Sequence, residues 1–353
     1  MAESLAASVV VCTRDRADAL AELLPSLCTQ SVDARVSWEL IVVDNGSRDR
    51  TPALVQQMRE KTPVELRYLR EEETGLSTAR NRGWREARGD IVAFIDDDAT
   101  AGPGWLQSLV DSYVESGVAG AGGPLVPLVE MSDGGPPDPA WVRLFSHDAG
   151  DEAIDVDALR GSNMSFRREV LARIGGFDES LGRIGGCLLA GDETDVLRAV
   201  RRLPGAHRIR YAPGAVVYHR VAPGLSAERL SKRRYCGGVS TVSIDRKDSA
   251  PQRLFQLARR HAALGVWGAR ALGRILRRSG PDLEQTARFQ EFVGYYREWL
   301  GGPASACRDC PMFPERRALL ERLSKRQVAR SPISGRAAPR PAESPSRSFR
   351  SRA

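Results

Sequence analysis

Short apolar runs alternate with helical stretches through the first part of this chain, and this alternation is the strongest constraint on its fold. The β-rich runs are SVVVC (8–12), ELIVVD (39–44), VELRYL (64–69) and DIVAFID (90–96). The segments between them, residues 16–30, 51–61 and 75–88, have the composition of helices. The alternation predicts an α/β fold with a mostly parallel sheet that is covered by helices on both faces.

Polar clusters follow three of the predicted strands. Residues 13–15 (Thr-Arg-Asp) follow the first strand, residues 44–45 (Asp-Asn) follow the second, and residues 96–98 (Asp-Asp-Asp) follow the fourth. Open α/β sheets bind ligands beyond the carboxyl ends of their strands. The sequence therefore predicts a ligand site at this edge of the sheet.

The run of three aspartates indicates either a metal site or an acidic turn that faces water. Neighbouring carboxylates repel one another and raise each other's pKa unless a cation lies among them. Asp96 and Asp98 lie two residues apart, so they project to the same side if the chain stays extended. Paired carboxylates suit Mg²⁺ or Mn²⁺, which also bind substrate phosphates. The DxD spacing alone does not decide between these interpretations.

Composition excludes several other classes of protein. The 353 residues are 42% hydrophobic and 27% charged, as in ordinary globular proteins. No stretch approaches the roughly 20 apolar residues that cross a bilayer, and we expect no secretory signal because no basic segment precedes the first apolar run. The six cysteines are scattered, which favours a reducing compartment and hence the cytoplasm.

The formal charge of +7 comes mainly from the C-terminal tail. Residues 328–353 contain six arginines and one glutamate, so the tail supplies +5 and the remainder is close to neutral. We therefore expect no nucleic-acid partner. The tail is rich in Ser, Pro, Arg and Ala and is predicted to be disordered. A solvated tail is favoured, and contact with anionic lipid or nucleic acid is the alternative.

The second half of the chain has less regular patterns. Residues 120–158 are dense in Gly and Pro and are interpreted as a long connecting loop. A helix with acidic residues in its first turn follows at AGDETDVLRAV, then a short strand, AVVYHRV, that ends at His219. Residues 226–300 have a helical pattern. The amphipathic stretch 264–278 either packs on the domain or lies on a membrane surface.

Taken together, the motifs resemble those of the family 2 inverting glycosyltransferases of GT-A fold. They occur in the same order and at similar spacing over about residues 6–222: VVDNGS (42–47), ETGLSTARNRG (73–83), FIDDDA (94–99), RGSNMSF (160–166) and GDETD (191–195). The resemblance implies a GT-A catalytic domain over residues 1–225. It leaves a helical extension at 226–325, for contact with an acceptor, membrane or partner, and a disordered basic tail at 326–353.

The resemblance also implies which residues bind the donor: Thr13, Arg14, Asp44, Leu76, Arg80, Asn81, Asp96, Asp97, Gly161, Ser162 and Asn163. Asp44 would accept a hydrogen bond from a nucleobase, and the alternative for this residue is an Asx-turn with Gly46. The guanidinium of Arg80 would suit a phosphate or base. Asp97 is expected to point away from the donor or to support the turn. Trp105 either stacks on a sugar or belongs to the core, which is favoured.

The implied metal ligands are Asp98, which would bind Mn²⁺ or Mg²⁺ directly, Asp96, which would bind the metal or the ribose, and His219. A histidine at this position completes the metal shell in some relatives, although a histidine at a strand end is also commonly structural. Imidazole suits Mn²⁺ better than Mg²⁺.

Glu193 is the expected general base. Relatives usually carry Glu-Asp at this point and use the second carboxylate, whereas this chain carries Asp192 and Glu193 in the reverse order. Asp192 is therefore the alternative base, and Asp195 is assigned to the helix. Acidic residues are also common in the first turn of a helix simply because they favour its dipole.

The implied activity is metal-assisted, inverting transfer of a sugar from a nucleotide-diphosphate sugar, with a UDP-sugar favoured. The acceptor hydroxyl would belong to a glycan, a lipid-linked molecule or a small molecule, and a peripheral contact with the inner face of the plasma membrane is open. A sugar nucleotidyltransferase is a rival, but SVVVCTRDRAD lacks the glycines of a triphosphate loop. The other rival is a non-catalytic nucleotide-sugar-binding or scaffold protein, and the reversed order of Asp192 and Glu193 favours it. Cys307 and Cys310 form a lone CxxC that is interpreted as two ordinary thiols.

Overall fold

The computed structural model of the chain describes residues 5–129, 139–185, 187–205, 207–221, 226–276 and 283–301. Its strands are β1 (Ala7–Thr13), β2 (Trp38–Asp44), β3 (Glu65–Arg70), β4 (Ile91–Asp96), β5 (Ala99–Ala101), β6 (Val118–Gly122), β7 (Leu125–Val129), β8 (Ile154–Asp155), β9 (Asn163–Arg167), β10 (Arg208–Tyr211) and β11 (Val217–Val221). Its helices are α1 (Ala17–Cys28), α2 (Thr51–Arg59), α3 (Leu76–Glu86), α4 (Trp105–Ser112), α5 (Pro139–Leu144), α6 (Arg168–Ile174), α7 (Asp192–Arg202), α8 (Ala227–Asp245), α9 (Ala250–Leu276) and α10 (Leu283–Gly301).

The main sheet confirms the fold class predicted from the alternating pattern. Its strand order is β3-β2-β1-β4-β9-β6-β10-β8, and the neighbours from β3 to β4 are parallel. Strand β9 enters antiparallel between β4 and β6. A second, three-stranded sheet has the order β5-β11-β7 and carries His219 within β11. Because the first strands are parallel, their carboxyl ends meet at one edge.

Apolar side chains cover both faces of the sheet. Val9 and Val11 face a core that contains α1 and α4, whereas Val10 faces the opposite core, against α3 and α7. Each of these valines is 0% exposed, and burial of such a side chain stabilises a fold by roughly 1.5–3 kcal/mol. Trp105 is also fully buried, in agreement with the core assignment. This layering places α3 and α7 on the same face, next to the tip of β4.

The prediction of a loop over residues 120–158 is wrong in part, because β6, β7, α5 and β8 lie within it. The sequence pattern did not indicate β6, because its residues, VAGAG, are small and lack the usual β-branched side chains. A Cβ on Gly122 would overlap the carbonyl oxygen of Asn163, so glycine allows the chain to approach β9 closely. Pro127 is compatible with β7 because that strand lies at the edge of the second sheet.

The C-terminal region is helical, as expected for the described part of residues 226–300. Ser226 caps α8 by accepting the backbone N–H of Arg229 at 3.1 Å. Helices α8 and α10 pack at close range, since a Cβ on Gly238 or Gly294 would overlap the backbone of the opposite helix. Within the residues that the structure describes, no helix has the length and apolar character that a membrane crossing requires.

Several sequence predictions are not tested by this architecture. The tail and the Cys307/Cys310 pair lie outside the described residues. The domain boundaries at residues 225 and 325 stay predictions. Helix α9 exposes Leu254 and Phe255 by 68% and 60%, and whether this surface meets a membrane also stays a prediction.

Candidate active site

A cleft lies beyond the carboxyl ends of β1 and β4 and has two adjoining lobes. The strand lobe, about 500 Å³, is lined by residues that follow these strands, among them Thr13, Arg14, Arg16, Asp97 and Asp98. The helix lobe, about 290 Å³, is lined by Gly161, Ser162, Asp192, Glu193, His219 and Arg233 among others. Leu76, Asp96 and Arg183 line both lobes. Two connected cavities of this size suit two small-molecule ligands that meet at Asp96.

The three aspartates after β4 have different surroundings. Asp97 points inward, where it accepts the Thr13 hydroxyl at 2.8 Å and an Arg16 N–H at 2.7 Å. Burial raises the pKa of Asp97 to about 7, and the charge of Asp98 adds to the rise while Arg16 opposes it. Asp97 therefore supports the turn, as expected for it, and Arg16 supplies the cation that the adjacent carboxylates require.

Asp96, Asp98 and His219 form a group that could hold a metal ion. Their ligand atoms all lie within 4.8 Å of one another. His219 Nδ1 donates to the backbone oxygen of Arg220 at 2.8 Å, so Nε2 is the ring nitrogen that faces the carboxylates, 3.3 Å from an Asp98 oxygen. Fixing the tautomer by a bond to a carbonyl is the usual arrangement for a histidine ligand. Two carboxylates with one imidazole fit a divalent cation, and Mn²⁺ accepts this mixture readily.

Arg80 joins this acidic turn to the start of α7. Its guanidinium is 3% exposed and donates to Asp192, to Asp96 at 3.0 Å and to the carbonyl of Gly161 at 3.0 Å. Burial alone would lower the pKa of Arg80, but the charges of Asp192 and Asp96 outweigh it and raise the pKa. The sequence predicted that Arg80 would face a phosphate or base. The structure directs its guanidinium to three groups of the protein, and a contact with the donor stays a prediction.

Asp192 and Glu193 occupy the first turn of α7 and differ in availability. The Asp192 side chain is 4% exposed and pairs with Arg80. Glu193 lines the helix lobe, and its pKa is raised to about 7 by burial and by the charge of Asp192. A carboxyl group with this pKa can exchange a proton near neutral pH. Asp195 is also buried, and its carboxylate forms an ion pair with Lys247 Nζ at 2.7 Å, in keeping with its assignment to the helix.

Other predicted donor-binding residues divide between the cleft wall and the layer behind it. Thr13, Arg14 and Leu76 line the strand lobe, and Gly161 and Ser162 line the helix lobe. The structure thus brings together residues that are distant in sequence.

Asp44 lies behind the wall. It is 0% exposed and accepts the Ser47 N–H at 2.7 Å and the Tyr68 hydroxyl at 2.6 Å. The bond to Ser47 closes the turn at Gly46 that was the alternative for this residue. A direct contact with a nucleobase stays a prediction for Asp44, and its observed role is to hold the turn after β2.

Two asparagines also lie behind the wall. Asn163 is 0% exposed, accepts the Trp105 indole N–H at 2.9 Å and donates to the carbonyls of Pro124 and Ala215. Asn81 is 1% exposed and donates to the carbonyl of Phe177 at 2.8 Å. Both amides hold neighbouring segments in place, and contact between either side chain and a donor stays a prediction.

Several arginines of the cleft were not predicted from the sequence, among them Arg16, Arg183 and Arg233. Arg16 had a signal, since it lies two residues beyond Arg14 in the TRDR stretch after β1. Arg183 and Arg233 had none, because each comes from a segment whose position relative to the sheet depends on tertiary packing.

Comparison with known proteins shows which family the chain is similar to. The sequence profile described as Glycosyl transferase family 2 matches residues 8–175. A glucosyl-dolichyl phosphate glucuronosyltransferase from Haloferax volcanii is 32% identical over 220 residues, which cover 61% of this chain and 69% of that protein. The succinoglycan biosynthesis protein ExoM from Rhizobium meliloti is 30% identical over 241 residues, 67% of this chain and 74% of that protein.

A solved structure shows the same fold. The mannosyltransferase PcManGT from Pyrobaculum calidifontis, in complex with GDP-Man and Mn²⁺, superposes with a TM-score of 0.58. The match covers 84% of this chain and 88% of that one at 20% sequence identity. At this identity the likeness concerns the fold alone, and it agrees with the GT-A expectation.

Replacing Arg80 should destabilise the whole protein. Arg80→Met leaves the buried carboxylate of Asp192 and the partly exposed carboxylate of Asp96 without their cation, so we expect the free energy of unfolding to fall by about 3–5 kcal/mol. Urea denaturation followed by circular dichroism measures this. Arg82→Met on the same helix is the control: Arg82 is 44% exposed and pairs only with Glu86 among the described residues, so the expected loss is below about 0.5 kcal/mol. Equal losses in the two variants would contradict a central role for Arg80.

Proposed function

This chain belongs to glycosyl transferase family 2, and from that membership and the geometry of its cleft we propose that it transfers a sugar from a nucleotide-diphosphate sugar to an acceptor hydroxyl, with inversion. The observation that carries the proposal is the meeting of the two lobes at Asp96. One lobe contains the acidic turn, and the other contains Glu193. A donor in the strand lobe and an acceptor in the helix lobe would meet where the lobes join.

The donor would lie along the strand lobe with its diphosphate toward Asp96, Asp98 and His219. These three side chains would hold the divalent metal, and a bound metal would offset the negative charge of the diphosphate. Thr13, Arg14 and Leu76 would line the nucleotide. Asp44, Asn81, Asp97 and Asn163 would serve by holding the wall behind it. The Mn²⁺ in the mannosyltransferase structure supports Mn²⁺ over Mg²⁺ here.

The acceptor hydroxyl would enter the helix lobe beside Glu193. In a single displacement, the hydroxyl oxygen bonds to the anomeric carbon as the bond from that carbon to the phosphate oxygen breaks. The electron pair leaves with the nucleoside diphosphate, and the hydroxyl proton passes to Glu193. Attack opposite the leaving group inverts the configuration. Glu193 is favoured over Asp192 because Asp192 is already paired with Arg80.

The proposal also includes the chemical class of the donor and that of the acceptor. A UDP-sugar stays the sequence preference, and the GDP-Man of the mannosyltransferase makes a GDP-sugar the second choice. A lipid-linked acceptor is favoured by the dolichyl phosphate in the name of the Haloferax relative. Such an acceptor would bring the protein to the inner face of the plasma membrane, from the cytoplasm.

Metal-dependent donor binding tests the first half of the proposal. We expect one of UDP-, GDP- or dTDP-sugars to raise the melting temperature when Mn²⁺ is present, since a ligand at about 100 times its Kd stabilises the folded state by about 2.7 kcal/mol. Asp98→Asn should lose the Mn²⁺-dependent part of this rise. Asp111→Asn is the control, because Asp111 is an exposed carboxylate on α4 outside both lobes. If Asp98→Asn keeps the full rise, Asp98 does not bind the metal.

Glu193→Gln tests the general base. General-base catalysis typically contributes about 10²–10⁴-fold, so the variant should lose turnover on that scale while it keeps the donor-induced rise in melting temperature. The measured quantity is the nucleoside diphosphate released from the donor, with an acceptor or with water in its place. Full turnover in Glu193→Gln would remove Glu193 from the mechanism.

The raised pKa of Glu193 predicts an acidic limb in the pH profile. The base must be a carboxylate, and the pKa of about 7 means that this form declines tenfold per pH unit below neutrality. We therefore expect kcat/KM to fall with unit slope below about pH 7 and to level above it. The residual activity of Glu193→Gln should lack this limb. If the limb persists in that variant, Glu193 is not its source.

A further inference from the structure

Helix α8 presents Arg229 and Arg233 to the cleft, and Arg234 beside them also lines the helix lobe. Arg229 and Arg233 are four residues apart, so they are neighbours on the helix surface. Arg229 lines the strand lobe and Arg233 lines the helix lobe. Like charges at this spacing destabilise a helix by a few tenths of a kcal/mol. An anionic ligand between the helix and the lobes would reverse that effect.

The neighbouring cations of α8 have carboxylate partners. Lys232 pairs with Glu228 at 2.7 Å, and Arg234 pairs with Glu291 at 3.4 Å. Within the described ranges of the chain, Arg233 has no ion pair or side-chain hydrogen bond, and its guanidinium lies over the Phe145 ring at 5.3 Å. Among the described residues, Arg233 therefore lacks the carboxylate partner that Lys232 and Arg234 have, and it lies on the side of α8 that faces the cleft.

Arg183 extends this basic surface from a different segment. It precedes α7 and lines both lobes, and none of the residues that the structure describes lies within 4 Å as an ion-pair partner for it. Burial and the charge of Arg183 lower the pKa of Arg233 to about 10. Two arginines that face one half-enclosed lobe thus repel each other, and a ligand with several anionic oxygens would relieve this repulsion.

We propose that the helix lobe recognises an acceptor that carries a phosphate group, held by Arg233 and Arg183 beside Glu193. This inference rests on the proposed function and adds the chemical class of the acceptor. Guanidinium groups that approach from α8 and from the segment before α7 suit the tetrahedral oxygens of a phosphate. The phosphate is a binding group, and the nucleophile is a hydroxyl elsewhere on the same molecule, since Glu193 would have no proton to remove from a phosphate dianion.

The donor's own diphosphate is the other source of phosphate. Arg233 lines the lobe of Glu193 and not the strand lobe of Arg14 and Asp98, which favours the acceptor. His219 and Asp96 of the implied metal group also line the helix lobe, so an Arg233 substitution decides between the two sources. Arg229 also lines the strand lobe and is placed to serve the donor, whereas Arg16 pairs with Asp97 and Asp98. The two sources predict different effects of an Arg233 substitution on nucleotide binding.

Calorimetry with n-octyl phosphate as the probe tests the proposal, in the presence of Mn²⁺ and a nucleoside diphosphate that fills the donor site. The wild-type protein should bind the probe and should not bind the neutral n-octyl glucoside at the same concentration. Arg233→Gln and Arg183→Gln should each weaken probe binding by about ten- to a hundredfold, the effect of one charge-assisted hydrogen bond. Arg233→Lys, which keeps the charge, should recover part of the loss.

Two controls separate this test from general effects. Arg253→Gln removes an exposed arginine of α9 that lines neither lobe, and it should bind the probe as the wild type does. Arg183 is exposed, so Arg183→Gln keeps the test valid if Arg233→Gln does not fold. Nucleoside diphosphate affinity should be unchanged in Arg233→Gln.

Three results would overturn the proposal: no binding of the probe to the wild type, equal binding in all variants, or a nucleotide affinity that falls with Arg233→Gln as far as probe affinity does. The last result would assign Arg233 to the donor. Failure of the proposed function has a different signature, because the wild type would then bind neither UDP, GDP nor dTDP with Mn²⁺.

Discussion

The buried guanidinium of Arg80 is the interaction on which the cleft depends. It connects the tip of β4 through Asp96, the start of α7 through Asp192, and the segment before β9 through the carbonyl of Gly161. A charge that is removed from water is stable only while its partners stay in place. Arg80 therefore fixes the distance between the acidic turn and the helix that carries Glu193, although it contributes no atom of its own to the proposed reaction.

Around this arginine, carboxyl groups of similar chemistry have different tasks. Asp44 and Asp97 accept hydrogen bonds from the protein and shape the turns behind the cleft. Asp98 faces His219 and Arg16, and their charges outweigh the effect of burial, so the pKa of Asp98 is lowered. Glu193 has only partial compensation for its burial, and its pKa rises. Environments that separate pKa values in this way distinguish a group suited to a cation from a group suited to proton transfer.

The two lobes differ in their relation to the family. The matching profile ends at residue 175 and includes β1 and β4, whose ends form the strand side of the cleft. The wall of the helix lobe combines residues of that segment, such as Arg80 and Gly161, with residues of α7 and α8, which follow it. Close packing of α8 on α10, through Gly238 and Gly294, holds the arginine face of α8 toward the lobe. Under the proposed function, the shared segment would serve the donor and the later helices would select the acceptor.

The sequence by itself determined the α/β class, the first four strands and the position of the acidic turn, because apolar periodicity and the ends of parallel strands are local properties. It missed β6, where glycines replace the usual β-branched residues, and it did not show that Arg80 pairs with Asp96 and Asp192. Only the tertiary structure decided which carboxylates remain available in the cleft and which arginines lack a partner among the described residues. Those outcomes depend on contacts between segments far apart in the chain, such as Arg80 with Asp192 and α8 with α10, and the burial that sets their charges exists only once these segments have packed.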